Sequence, residues 1–154
     1  MSSESDDLLD ALIEALPKWQ VLVVQFNERV ARQLGVAASD LQCLFVLSTH
    51  GPRSPGFIAE QIGLTTGSAS RMVDRLLAAG LVTRETDTLD RRRVIVTVTP
   101  QALARVAEHY SPLNDQLRAH LARLPERSLT DMLNFVRDAE ATTRDRIHQQ
   151  IAAP

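Results

Sequence analysis

The feature that most constrains this chain is a change of hydrophobic period at Gly80. Upstream, Met72, Val73, Leu76 and Leu77 recur at helical spacing. Downstream, Leu81–Thr86 and Val94–Thr99 alternate at every second residue. Val94, Val96 and Val98 fall on one face, and Ile95, Thr97 and Thr99 on the other. The link from Asp87 to Arg93 is polar and charged, as expected of a projecting hairpin tip. A helix that runs directly into a two-stranded ribbon leaves few architectures open.

The residues before the ribbon narrow the choice. Ser39 is placed to cap a helix from Asp40 to His50, its hydroxyl accepting an orphan amide. The cluster GPRSPGF then reads as a turn. Ser54 followed by Pro55 predicts the cap and first residue of a short helix carrying Ile58, Ala59 and Ile62, closed by Gly63. Thr65 starts the next helix, Thr66 to Ala79, and Gly80 stops it. Two short helices joined by a glycine-bearing turn form a helix-turn-helix unit. With the hairpin as wing, residues 39–99 are expected to be a winged helix-turn-helix.

Helical regions flank this centre. From Leu8 to Leu34 a stripe runs through Leu9, Leu12, Ile13, Leu16, Trp19, Val23, Phe26, Val30 and Leu34, and Pro17 predicts a kink or restart within it. A helix from about Pro100 to Leu124 is broken by Pro125. A second stripe then runs from Leu129 through Met132, Leu133, Val136, Ala139, Thr143 and Ile147 to Ile151. The expected fold is mainly α with a small β-hairpin wing, divided as residues 1–38, 39–99 and 100–154. The end helices either form a dimerisation region or cover one another within a monomer.

The composition fits a folded protein rather than a disordered one: of 154 residues, 44% are hydrophobic and 23% charged. The net charge of −2 names no partner. The single cysteine, Cys43, excludes an internal disulfide and a Cys-rich zinc site. The acidic start MSSESDD and the lack of a long apolar run imply a cytoplasmic protein that makes no use of a membrane.

Candidate chemistry lies on the second helix of the unit and on the wing. Thr66, Ser68, Ser70, Arg71 and Arg75 stand on its polar face, with Ser54 at the start of the preceding helix. Short hydroxyls near a helix N-terminus suit phosphate, and an arginine fork suits guanine O6 and N7. Asp74 argues for an ordinary solvated surface, because it offers a neighbouring arginine a partner. The consecutive Arg91, Arg92 and Arg93 tip the balance, since like charges on a ribbon need an anionic neighbour and a narrow minor groove supplies one. Residues 65–99 hold six arginines against four acids, a surplus too small to argue from charge alone.

Ile62-Gly63-Leu64, the run TTGSASRMVDRLLAAGLVTRE from Thr65 to Glu85, Asp90-Arg91-Arg92 and the strand ending at Thr99 together resemble the MarR family of winged-helix transcription factors. The flanking helices fit as well, so the resemblance covers nearly the whole chain. It implies a homodimer with interlaced terminal helices that binds double-stranded DNA at an inverted repeat. It also implies that Thr66, Ser68, Ser70, Arg71 and Arg75 face the major groove, that Arg92 enters the minor groove, and that Asp90 holds the wing by a salt bridge to a nearby arginine. Ala102 departs from the glycine usual in the family at that point, which predicts a mild change in how the following helix starts.

Family members often respond to a small aromatic or phenolic effector, and Trp19, Phe26 and Phe45 are the candidates to line its cleft. An aromatic at helical spacing is more often core, however, and core is the expectation for each. Cys43, between Gln42 and Leu44-Phe45, reads as a small buried hydrophobe rather than a redox switch. The four histidines share no helix face, so no metal site is expected, and no cofactor is implied. No catalytic residue is assigned, because the chain has no nucleophile–base pairing and no phosphate-cradling glycine loop. The expected function is a dimeric DNA-binding regulator, a repressor released by an effector. The alternative is a winged helix used as a protein-interaction module, which an exposed apolar patch on the second helix would favour.

Overall fold

The computed structural model describes residues 3–152 except Arg91, leaving aside the side chains of Ser3, Ile151 and Ala152. It divides into two compact units at His109–Tyr110. The first contains α1 (Ser3–Leu34), α2 (Ala38–His50), α3 (Pro55–Ile62), α4 (Thr66–Ala78), β1 (Val82–Thr86), β2 (Val94–Val98) and the opening turns of α5 (Pro100–Leu121). The second contains the remainder of α5 and α6 (Glu126–Ala152). The mainly helical fold with a winged helix-turn-helix at its centre is as expected.

The glycine stops work as local geometry requires. Gly63 and Gly80 take φ of 68° and 70°, a left-handed conformation that costs a residue with a Cβ about 1 kcal/mol or more. Each lets the next amide fold back across the helix end. Leu64 donates to the Ala59 carbonyl at 2.9 Å, and Leu81 to the Leu76 carbonyl at 3.0 Å. The same step drives Leu81 into the core.

The core is aliphatic. Leu41, Leu44 and Leu47 of α2, Ile58 of α3, Met72, Val73 and Leu76 of α4, and Val82, Val96 and Val98 of the ribbon are buried together with Val30 and Leu34 of α1. The expectation that the aromatics belong to it is corrected. Trp19 is 59% exposed, and Phe26 and Phe45 are only half-buried. Trp19 lies on the N-terminal part of α1, where Leu8, Leu9, Leu12 and Ile13 are exposed too. In the second unit, Met132, Leu133, Phe135, Val136 and Ile147 of α6 are likewise exposed.

Three local expectations also change. α1 runs unbroken through Pro17, so the predicted restart is absent. Pro17 and Ile13 are both exposed, and water can satisfy the carbonyl that the missing amide leaves free. α2 begins two residues earlier than expected, at Ala38, with Ala37 rather than Ser39 as its cap residue. Asp40 takes over the capping: its Oδ2 accepts the Ala37 amide at 3.3 Å. Finally, the turn before α3 joins the ribbon. Arg53 and Val96 exchange both backbone hydrogen bonds, 3.1 and 2.8 Å, so the two-stranded hairpin gains a one-residue third strand.

Two polar devices hold this unit together. Asp40 is 2% exposed, and besides its cap it receives the guanidinium of Arg75 across two elements, Nη2–Oδ1 2.6 Å and Nε–Oδ2 3.2 Å. This hydrogen bond holds the Arg75 pKa above the usual arginine value. Thr99 closes the wing. Its hydroxyl donates to the Gly80 carbonyl at 3.2 Å and accepts the Ala102 amide at 3.2 Å, capping α5, while its own amide donates to Leu81 at 3.0 Å. Ala102, where the family usually has glycine, is fully buried inside that first turn.

Removing Arg75 leaves the Asp40 carboxylate buried with a single amide partner. Arg75→Ala is therefore expected to cost about 2 kcal/mol of unfolding free energy in denaturant titration, against at most about 0.5 kcal/mol for Arg71→Ala on the exposed face. The double variant Asp40→Ala/Arg75→Ala should lose less than the sum of its parts. Thr99→Ala is expected to cost about 1 kcal/mol through the lost cap. Equal stability of Arg75→Ala and Arg71→Ala would contradict the strut.

Candidate nucleic-acid interface

α4 separates an apolar face from a polar one because its residues alternate with helical period. Ala69, Met72, Val73 and Leu76 are buried, while Thr66, Gly67, Arg71, Asp74 and Arg75 are exposed and Ser68 and Ser70 half-buried. The Thr65 hydroxyl caps the helix by accepting the Ser68 amide at 3.2 Å. The Ser68 hydroxyl in turn receives Thr65 Oγ1 at 3.0 Å and Arg71 Nη2 at 3.3 Å. The first turn thus presents hydroxyls, free amides and a cation on one surface, an arrangement suited to phosphate. Ser54 is the N-cap of α3, its hydroxyl oxygen accepting the Phe57 amide at 3.3 Å.

Arg75 is in a different position from the one its spacing predicted. Its fork is committed to Asp40, and so it is not free to read guanine in this arrangement. Asp74 does not neutralise Arg75. Adjacent residues on a helix point apart, and Asp74 instead pairs with Arg84 of β1 at 2.9 Å. Of the six arginines counted between residues 65 and 99, two are thus paired with acids, and Arg91 lies outside the described residues. Arg71, Arg92 and Arg93 remain exposed, without an ion pair among the described residues.

The wing tip is ordered by two carboxylates that turn inward to backbone. Asp87 Oδ1 accepts the Leu89 amide at 2.9 Å, and Asp90 Oδ1 accepts the Arg92 amide at 3.0 Å. Backbone bonds from Asp87 to the Arg93 carbonyl and from Arg93 to the Asp90 carbonyl, both 2.9 Å, close the loop. Among the described residues Asp90 makes no salt bridge with an arginine, and its carboxylate builds a turn; Arg91, the adjacent arginine, lies outside the described residues. A short carboxylate two residues ahead of an amide forms that turn without requiring a cation.

Arg53 was not among the residues singled out from sequence. It sits at the base of the wing, bridged to Val96, with its guanidinium 5.2 Å from the Phe57 ring centroid and His50 edge-on to the same ring. Its signal in the sequence was only its place in a turn-rich cluster. Among the described residues no three His, Cys, Asp or Glu side chains could hold a metal ion together. Among the described residues, no single helix is long and apolar enough to cross a membrane.

Cys43 lies fully buried in α2, and its thiol is pushed up to about 12, chiefly by burial and secondarily by the Asp40 charge. At pH 8 only on the order of one thiol in ten thousand would be thiolate, the reactive form. Iodoacetamide is accordingly expected to leave the native protein unmodified and to label it rapidly in denaturant. Fast native labelling, followed by mass spectrometry, would contradict the buried-hydrophobe reading.

A family model described as MarR family matches residues 34–93. An HTH-type transcriptional regulator of Bacillus subtilis, YcgE, is 30% identical over 130 residues, covering 84% of this chain and 84% of its own. The crystal structure of the transcriptional regulator BldR from Sulfolobus solfataricus superposes with a TM-score of 0.57 at 25% identity, over 90% of this chain and 99% of the other. The structure of reduced AbfR bound to DNA does so with a TM-score of 0.53 at 21% identity, over 93% and 99%. The match to YcgE extends well past the winged helix into the flanking helices, and on that breadth the chain belongs to the MarR family of transcriptional regulators, proteins that are not enzymes.

Proposed function

We propose that this protein acts as a homodimer that binds an inverted repeat in double-stranded DNA and represses transcription until a small effector releases it. The observation that carries the DNA reading is the set of cations without acidic partners among the described residues: Arg71, bonded to the Ser68 hydroxyl on α4, and Arg92 and Arg93 on the wing. AbfR, whose fold this chain shares, has been crystallised on DNA. A winged helix serving protein contacts would need an apolar outer face on α4, and that face carries Thr66, Gly67 and Arg71 instead.

The dimer is supported by the many exposed large apolar residues of α1 and α6, a kind of surface that a partner ordinarily covers. A second copy covering them would produce two symmetry-related α4 helices, hence a two-fold operator. In this reading Ser54, Thr66, Ser68, Ser70 and Arg71 contact the major groove or its phosphates, and Arg91, Arg92 and Arg93 approach the minor groove. Arg75 acts through α4 as a strut. An aromatic or phenolic effector would lodge beside Phe26 and Phe45, with Trp19 at the dimer surface. The absence of a spanning helix is consistent with work in the cytoplasm.

Selection from a random duplex pool tests this reading. The expected product is a palindrome with half-site centres about 10 base pairs or one helical turn apart, and binding that weakens steeply with salt. Arg92→Ala should lose affinity and reduce the salt slope by about 1 if the contact is to phosphate or groove charge. Sedimentation should give twice the monomer mass. Failure to enrich any sequence at low or high salt would overturn the proposal.

A further inference from the structure

The wing tip carries one residue that neither the fold nor its charge explains. Leu89 is 97% exposed, more than any other large hydrophobic residue, and it stands at the outermost turn of the hairpin. Its described neighbours leave it open: the flanking Thr88 and Asp90 are exposed, as are Arg92 and Arg93. Its position is nevertheless fixed. The Asp87 carboxylate holds its amide at 2.9 Å, and two backbone bonds of 2.9 Å close the ribbon beneath it. A leucine held fully in water by a built turn loses the free energy of burial that its side chain would gain in contact with a partner.

We infer that Leu89 is a DNA contact: an apolar wedge that enters the minor groove beside the wing arginines and packs against the sugars and base edges at its floor. The inference rests on the DNA-binding reading and assigns within it a residue of a different chemical kind. Charge complementarity selects the occupant. The tip brings Arg92 and Arg93, both without acidic partners among the described residues, to the same end of the hairpin as Leu89. A polyanion satisfies both. A protein partner would need an apolar surface of roughly 800 Å² on this side, and one isolated leucine does not provide it. Groove insertion needs only a single apolar side chain, and wedges of this type act by partly unstacking a base step.

The test uses the full chain and the duplex selected by the wild type, with affinity measured over a range of salt concentrations. Leu89→Ser should weaken binding about tenfold, the loss expected when a leucine gives up roughly half its possible burial. The dependence of log affinity on log salt should stay at the wild-type slope, because no phosphate charge is lost. Arg92→Ala, in contrast, should lower that slope. Leu89→Met, which keeps the volume and apolar character, should restore most of the affinity. Since Leu89 buries nothing in the free protein, all three variants should melt with the wild type. Wild-type affinity in Leu89→Ser would overturn the wedge and leave the DNA-binding reading intact. A loss accompanied by a reduced slope would also overturn it, by showing that the substitution displaced the arginines. Lack of specific binding by the wild type would overturn both.

Discussion

The arrangement of the winged helix depends on one buried carboxylate. Asp40 sits in the first turn of α2, where the helix N-terminus favours negative charge, and there it closes the helix by holding the Ala37 amide. Its remaining acceptor capacity is met by Arg75, thirty-five residues later in the chain. The pair links the end of the α1–α2 connection to the last turn of the helix that presents the hydroxyls and Arg71. Since α4 is held by its apolar face and also by this bidentate contact, its rotation about its own axis is fixed. Which residues look outward is therefore decided by Asp40 as much as by hydrophobic burial. Cys43, one turn further along α2, feels the same charge.

The wing is held in a comparable way at its base and left free at its tip. Thr99 ties the strand end to the exit of α4, Arg53 adds a third strand at Val96, and Arg84 reaches back to Asp74. The exposed Arg84–Asp74 pair contributes at most about 1 kcal/mol, so the backbone bridges and buried valines provide most of the anchoring. Beyond Thr86 the restraints among the described residues are the turns made by Asp87 and Asp90 with backbone amides and the two backbone bonds that join Asp87 and Asp90 to Arg93. The hairpin can thus project as a defined shape without covering its cations.

Much of this was legible in the sequence, and the reasons are local. Gly63 and Gly80 followed by leucine declare two helix ends, Ser54-Pro55 and Thr65 declare two starts, and the change to period 2 after Gly80 declares the ribbon. The errors arise where a distant residue overrides a local preference. Ser39 has a good capping side chain, but Asp40 is needed inside for Arg75, and serving the Ala37 amide from there moves the helix start. Asp74 is adjacent to Arg75 in sequence and therefore points elsewhere on the helix. Its partner Arg84 comes within reach only once the strand folds back. Trp19 was expected in the core because it lies on an apolar stripe; α1, however, is longer than the core it packs on, so the stripe continues past the interior of its unit.

The same assignments explain how a chain of net charge −2 can present a cationic surface. Among residues 65–99 and their contacts, most of the acids are engaged: Asp40 and Asp74 take up two arginines, and Asp87 and Asp90 bind backbone amides, while Glu85 is exposed. Each pairing with an arginine removes a cation from the outer surface, and each turn moves a carboxylate toward the loop's own backbone. The cations that remain, Arg71, Arg92 and Arg93, are those the fold gives no acidic partner among the described residues. Electrostatic attraction for a polyanion is set by the local field within about a Debye length, roughly 10 Å at moderate salt. The sum over the whole chain averages acids drawn from all of its helices, so it is a poor guide to what α4 and the hairpin would bind.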